Sequence, residues 1–188
     1  MVWLEVETKV KINNVTDLRK KIQRIAKLEK KETRIDDYFA PKRIFKKYFY
    51  PKKAFRIRTK KDCFEINFKK WLTEFWEDQV VVKQEFEFKI KDKESIKDLI
   101  FLFKDLGFYK WLTKKKTCES YIYNKDKKII IEINKVENLG YFMEIEYLAQ
   151  PSEMNIAKQK IKQILKELKI NPKDINNTGY TKMLWNLH

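Results

Sequence analysis

Cysteine, histidine, glycine and proline are all scarce in this chain of 188 residues: it has two cysteines, one histidine, three glycines and four prolines. Cys63 and Cys118 have neither zinc-finger nor disulfide-framework spacing. The histidine, His188, is terminal, so no Cys/His cluster is available and any bound metal is expected to take oxygen ligands. So few glycines exclude a glycine-rich phosphate loop. No run approaches the ~18 apolar residues of a membrane-spanning helix. Charge by Glu5 leaves no room for the apolar stretch of a signal peptide, so a cytoplasmic protein is the expectation. Acidic residues are also in deficit, 27 against 43 Lys and Arg, which leaves a net charge of +16. A surplus of that size favours an anionic partner, whether nucleic acid, an acidic membrane surface or a small phosphorylated ligand. Charge alone does not separate the three. A hydrophobic fraction of 43% and an aromatic fraction of 14% exclude a disordered polyelectrolyte and supply a core for one domain over residues 1–188.

Hydrophobic periodicity divides the chain into eight strands and three helices, an α+β pattern. A first strand is expected from Trp3 to Ile12. TDLRKKIQRIAKL follows as a helix with Leu18, Ile22, Ile25 and Ala26 on one face and Thr16 as its cap. TRIDDYFA reads as a strand ending near Pro41, and AFRIRT with CFEINFKK as a hairpin turning at Lys61-Asp62. QVVVKQEFEFKIK is a long strand. Asp92 caps the next helix, whose Ile96, Leu99, Ile100 and Phe103 recur at helical spacing, and Gly107 ends it. Strands are expected over Tyr109–Tyr123, Lys128–Lys135 and Tyr141–Leu148, with a turn at Asn138-Leu139-Gly140. Pro151 precedes a basic helix with Ile156, Ile161, Ile164, Leu165 and Leu168 on its apolar side. EVETK at Glu5 and EFEFK at Glu85 echo one another, either as two related half-sheets facing each other or by chance.

Period-2 alternation gives nearly every strand one charged and one apolar face. Glu5, Glu7, Lys9 and Lys11 oppose Leu4, Val6, Thr8 and Val10. Arg56 and Arg58 share a face, as do Glu65, Asn67 and Lys69. Lys83, Glu85, Glu87 and Lys89 oppose Gln84, Phe86, Phe88 and Ile90. Lys114 and Lys116 share a face; Glu132 and Asn134 oppose Ile131 and Ile133, and Glu144 and Glu146 oppose Met143, Ile145 and Tyr147. Two arrangements satisfy this pattern. A barrel with an apolar interior turns its charges to water. An inside-out barrel turns its apolar faces outward under the helices and its charges inward. The second is costly unless the charges are paired or meet a charged ligand. Polyphosphate with a divalent cation is such a ligand, since cations meet phosphate oxygens and carboxylates hold a hard metal.

Eight segments, in order, resemble the motifs of the CYTH superfamily, the triphosphate tunnel metalloenzymes. Glu5-Val6-Glu7-Thr8-Lys9 matches its ExExK. IDDYF resembles DxYF through Asp36, Tyr38 and Phe39. AFRIR, at Ala54 to Arg58, resembles ALRIR. FEINFK ends at Lys69, where the family often carries a substrate lysine. KQEFE, at Lys83 to Glu87, resembles RxExE. LGF at Leu106 precedes LTKKK, which resembles VxKxR, and NKVENLGYFMEIE, at Asn134 to Glu146, resembles DxVxxLGxFxEIE. Tyr180 in GYTKMLW matches the tyrosine of a terminal SYxxLL. The sequence departs from the family at Asn134, where aspartate is usual, and at Lys83 and Lys116, where arginines are usual. A lysine offers a point charge in place of a rigid fork.

The resemblance implies an eight-stranded antiparallel β-barrel forming a tunnel with a charged interior, helices packed outside, and a requirement for Mg2+ or Mn2+. It implies phosphate contacts from Lys9, Arg56, Arg58, Lys69, Lys83, Lys114 and Lys116. The acidic inventory for the metal is Glu5, Glu7, Glu85, Glu87, Glu132, Glu144 and Glu146, with Glu5, Glu7 and Glu146 in direct contact. Glu5, Glu7 and Lys9 are the catalytic candidates. The substrate is a triphosphate: ATP in a class IV adenylyl cyclase-like reaction, or ATP, tripolyphosphate or thiamine triphosphate in a hydrolase. Lys11 and Lys89 are expected to end in solvent. Glu65 reads as a pairing residue, and Tyr38 and Phe39 as packing groups. Glu132 and Glu144 fit either metal binding or orientation of the basic residues. The aromatic stretch with Phe45, Tyr48, Phe49 and Tyr50 fits either base stacking or packing. A non-catalytic polyphosphate- or nucleic-acid-binding protein is the rival class. Trp71, Phe75 and Trp76 fit either a homodimer interface or a satellite core.

Overall fold

The computed structural model describes residues 3–42, 50–51, 54–60, 62–77 and 79–187. His188, Lys61 and the aromatic residues Phe45, Tyr48 and Phe49 lie outside them. The order is β1 (Leu4–Lys11), α1 (Val15–Ile25), β2 (Ala26–Pro41), β3 (Phe55–Thr59), β4 (Phe64–Trp71), β5 (Val81–Ile90), α2 (Lys93–Asp105), β6 (Phe108–Tyr123), β7 (Ile129–Val136), β8 (Gly140–Ala149), α3 (Met154–Glu167) and α4 (Tyr180–Trp185). The strands close into an antiparallel barrel in the order β1-β5-β4-β3-β2-β6-β7-β8. Chain contacts define two compact units. The first contains residues 1–33, 70–85 and 116–178; the second contains 34–69, 86–115 and 179–188.

In the first unit, the apolar faces of β1, β7 and β8 meet the helices. Leu4, Val6 and Val10 of β1, Ile131 and Ile133 of β7, and Met143 and Ile145 of β8 share one core with Leu18 and Ile22 of α1 and Ile161, Ile164 and Leu165 of α3. Each such side chain contributes roughly 1.5–3 kcal/mol by leaving water. The opposite face of β1 is buried as well, because Glu5, Glu7 and Lys9 are only 5%, 2% and 2% exposed. A solvated charged face is thereby excluded: the apolar faces pack under helices and the charged faces turn inward. In the second unit, Phe39, Ile57 and Ile96 form a smaller core with Phe55, Phe64, Ile66, Leu99 and Ile100, which seats α2.

Several local details differ from the sequence expectation. Asn14, not Thr16, caps α1, its side chain accepting from the Asp17 N–H at 3.0 Å. Ala26 leaves the helix and starts β2, a strand seven residues longer at its front than the apolar pattern suggested, because Lys27 to Lys31 are exposed and carry no alternation. EVETK and the start of KQEFE lie side by side, with Glu5 opposite Lys83, and so do not belong to two facing half-sheets. Ile156 is exposed and Ala157 takes the buried place on α3. Asp92 does cap α2. Gly107 does end α2, at φ 83°. Gly140, at φ 89°, has a second constraint: a Cβ there would stand 3.3 Å from Lys11 Nζ.

Candidate functional site

β-pairing in the first unit sets like charges against one another. Glu7 stands opposite Glu146 across β1 and β8, and Glu132 stands opposite Glu144 across β7 and β8. Directly opposed like charges destabilise a sheet unless something neutralises them. Three buried lysines do part of this. Lys83 donates to Glu7 and lies 3.6 Å from Glu5. Lys116 lies 3.3 Å from Glu132 and 3.5 Å from Glu144. Lys9, opposite Glu144 in register, lies 3.6 Å from its carboxylate and donates to the Thr178 carbonyl at 3.0 Å. Burial by itself would raise the Glu144 pKa; Lys116 and then Lys9 outweigh it and hold the carboxyl below its ordinary range.

Among the described residues, five carboxylates gather around these three ammonium groups. Glu5, Glu7 and Glu146 each present an oxygen within 4.8 Å of the other two, and so do Glu132, Glu144 and Glu146. Asn134 is fully buried between them: its Nδ2 donates to Glu144 at 2.8 Å and to Glu132 at 3.4 Å. Its Oδ1 has no hydrogen-bond partner among the described residues. Carboxylate oxygens in two overlapping groups, with a spare amide oxygen beside them, fit a hard divalent cation. Amide in place of aspartate supplies a neutral donor and ties the two carboxylates together.

The second unit gathers cations around one carboxylate. Asp36 is fully buried and accepts from Arg58 through two bonds, Nε at 2.6 Å and an Nη at 3.0 Å. Lys114 lies 2.9 Å from Asp36 and Arg56 3.6 Å. Register explains the gathering, because Asp36 faces Arg58 and Tyr38 faces Arg56 across β2 and β3. Burial pushes the Asp36 pKa up, but Lys114, Arg58 and Arg56 together bring it far below the carboxylate range. Glu65, opposite Arg58 on β4, lies 3.7 Å from it and accepts from Lys60. Tyr38 is more than a packing group. Its hydroxyl accepts from Lys114 at 3.0 Å. Burial would raise this phenol, yet Lys114 brings it below its ordinary pKa.

Other sequence candidates fall around these clusters. Lys69 and Glu85 are half-buried on β4 and β5, while Glu87 is exposed and paired with Lys89 at 3.3 Å. Lys11 does not end in solvent: it donates to the Leu139 carbonyl and its ammonium sits 4.4 Å from the Phe142 ring centre. Trp71 and Trp76 pack with ring centres 5.2 Å apart, and Lys83 lies 4.9 Å from the Trp71 ring. Sequence reasoning missed two groups. Asn177 and Thr178 contact Lys9; their signal was the INNTG turn sequence before α4. Trp111 and Trp185 join Tyr50 in an edge-to-face set, with Tyr50 Oη 2.6 Å from Thr181 Oγ1.

No family model and no curated protein matches the chain. Solved structures do. The PH1819 protein from Pyrococcus horikoshii is 28% identical, with 98% of this chain and 99% of that one covered at a TM-score of 0.78. A candidate adenylate cyclase from Vibrio parahaemolyticus is 12% identical over 96% and 97% of the two chains, with a TM-score of 0.74. A candidate adenylyl cyclase from Hippeastrum, described as having a dominant triphosphatase activity, is 14% identical over 95% and 91%, with a TM-score of 0.61. With this barrel order, the chain shares the fold of these structures, a closed eight-stranded antiparallel β-barrel with helices packed outside.

Proposed function

We propose that the protein is a divalent-metal-dependent enzyme acting on a triphosphate, and that its reaction is cyclisation of ATP to cyclic AMP and pyrophosphate. The observation that supports the metal-dependent core of this reading is the two pairs of opposed carboxylates, Glu7 against Glu146 and Glu132 against Glu144, whose oxygens gather in two overlapping groups. Glu5, Glu7 and Glu146 would hold Mg2+ or Mn2+, with Glu132 and Glu144 as the adjoining group. The bound metal would supply Lewis-acid polarisation of phosphoryl oxygens. Lys9, Lys83 and Lys116 in the first unit and Arg56, Arg58, Lys69 and Lys114 in the second are the phosphate contacts. Their work is orientation and stabilisation of charge on the transferring phosphoryl group. In cyclisation the ribose 3′-oxygen bonds to the α-phosphorus, its proton is lost, and pyrophosphate leaves.

Hydrolysis is the second reading, in which water attacks phosphorus in the same chain of phosphates. One observation favours it: the Hippeastrum neighbour is described as having a dominant triphosphatase activity. Phosphorus NMR and chromatography, after incubation with ATP or tripolyphosphate and Mg2+ or Mn2+, separate the two. Cyclic AMP with pyrophosphate establishes cyclisation, and ADP or orthophosphate establishes hydrolysis. No turnover of either substrate with either metal contradicts both.

A further inference from the structure

Pairing between β1 and β5 ends at Glu7 opposite Val81. On its other side β1 stays paired with β8 as far as Lys11. The Lys9 backbone therefore has an edge with no strand beside it, inside the first unit. Residues just before α4 fill that edge. Ile175 forms a bridge to Val10. The Asn176 N–H donates to the Lys9 carbonyl at 2.8 Å, and the Lys9 N–H donates to Asn177 Oδ1 at 2.8 Å. Asn177 Nδ2 donates to the Gln79 carbonyl at 3.2 Å, which ties the same side chain to the turn before β5. A bond from the Thr178 N–H to Asn176 Oδ1 then turns the chain, and the Thr178 carbonyl accepts from Lys9 Nζ at 3.0 Å. Three successive residues thus hold the carbonyl, the N–H and the ammonium of Lys9.

We propose that residues 175–178 are a strap that fixes Lys9 for its anionic ligand, with Asn177 as a positioning residue. This rests on the reading of Lys9 as a phosphate contact. A lysine ammonium on four flexible carbons loses much rotamer freedom when it is fixed, so a site that prepays this entropy binds more tightly. The Thr178 carbonyl and the Glu144 carboxylate set two of the ammonium's directions before ligand arrives.

The test uses Asn177→Ala, with Asn177→Asp as the variant that keeps the acceptor for the Lys9 N–H. Amide hydrogen exchange at Lys9, followed by NMR, reads the strap without any ligand. Protection is expected in the wild type and in Asn177→Asp, and its loss in Asn177→Ala. Unchanged protection in Asn177→Ala overturns the strap. Calorimetry with inorganic tripolyphosphate and Mg2+ reads the consequence. Affinity is expected to fall about tenfold in Asn177→Ala, the upper scale of one neutral hydrogen bond. It should fall little further when the change is added to Lys9→Ala, since the two act through one group. An equal fall in both backgrounds, or none, overturns the positioning role. A wild type that binds no tripolyphosphate overturns the proposed function and with it the ligand role of Lys9, while the exchange measurement still decides whether the strap holds that residue.

Discussion

In the first unit 22 Lys and Arg meet 18 Asp and Glu, a surplus of +4; in the second 21 meet 9, a surplus of +12. Their buried strand faces differ more sharply still. Among the described residues, the first unit gathers Glu5, Glu7, Glu132, Glu144 and Glu146 around Lys9, Lys83 and Lys116. The second gathers Arg56, Arg58 and Lys114 around Asp36, with Glu65 beside Arg58. Buried charge of either sign is costly until it is balanced. Carboxylates opposed as in the first unit are what a divalent cation relieves. Chain-wide net charge, which suggested an anionic partner, could not reveal the negative cluster.

The largest effect should come from Glu5→Gln with Glu7→Gln. Metal-dependent turnover is expected to drop to background with the folded far-UV circular dichroism spectrum retained, although Lys83 loses two carboxylate neighbours and the thermal midpoint falls. Full activity in this variant would sink the assignment of the metal to the first unit. Next comes Asp36→Asn. It takes the carboxylate from buried Lys114 and leaves Arg58 with Glu65 alone, and should cost about 3–5 kcal/mol in denaturant unfolding. Glu144→Gln should cost less than half as much, since it also relieves the Glu132 pair; equal losses would break the contrast between the units.

Acid tests the same contrast. Asp36 and Glu144 both have folded pKa values below their ordinary ones. The stability they contribute is therefore full above the ordinary carboxylate range of ~4 and is lost as pH falls through the depressed values. Unfolding measured from pH 6 to 2 should show a steep acid loss in the wild type and a shallower one in Asp36→Asn. Smaller effects follow. Arg56→Ala should weaken tripolyphosphate binding about tenfold by calorimetry, and Lys11→Ala by less than about twofold, because Lys11 is engaged by the Leu139 carbonyl and the Phe142 ring. Gly140→Ala, at positive φ, should cost about 1 kcal/mol in denaturant unfolding.

Much of this was legible in the sequence because strand alternation is strict where both faces are buried. Glu5, Glu7 and Lys9 against Leu4, Val6 and Val10 could be sorted by parity, and the ordered motifs chose the inside-out arrangement over its rival. Legibility failed where side chains carry no period. The front of β2 is a run of exposed charge, and its Ala26 to Leu28 read as the end of a helix. α4 has six residues, too few for a helical repeat. The strap was missed because its contacts use backbone groups and a short amide, which leave no hydrophobic signature.

The most direct measurement is Mn2+ binding followed by electron paramagnetic resonance, without nucleotide, in the wild type, in Glu5→Gln with Glu7→Gln, and in Arg56→Ala. The account predicts that the wild type and Arg56→Ala bind Mn2+ alike and that the double glutamine variant loses it. Equal binding in all three proteins, or binding in none, would contradict a cation site built on the carboxylates of the first unit.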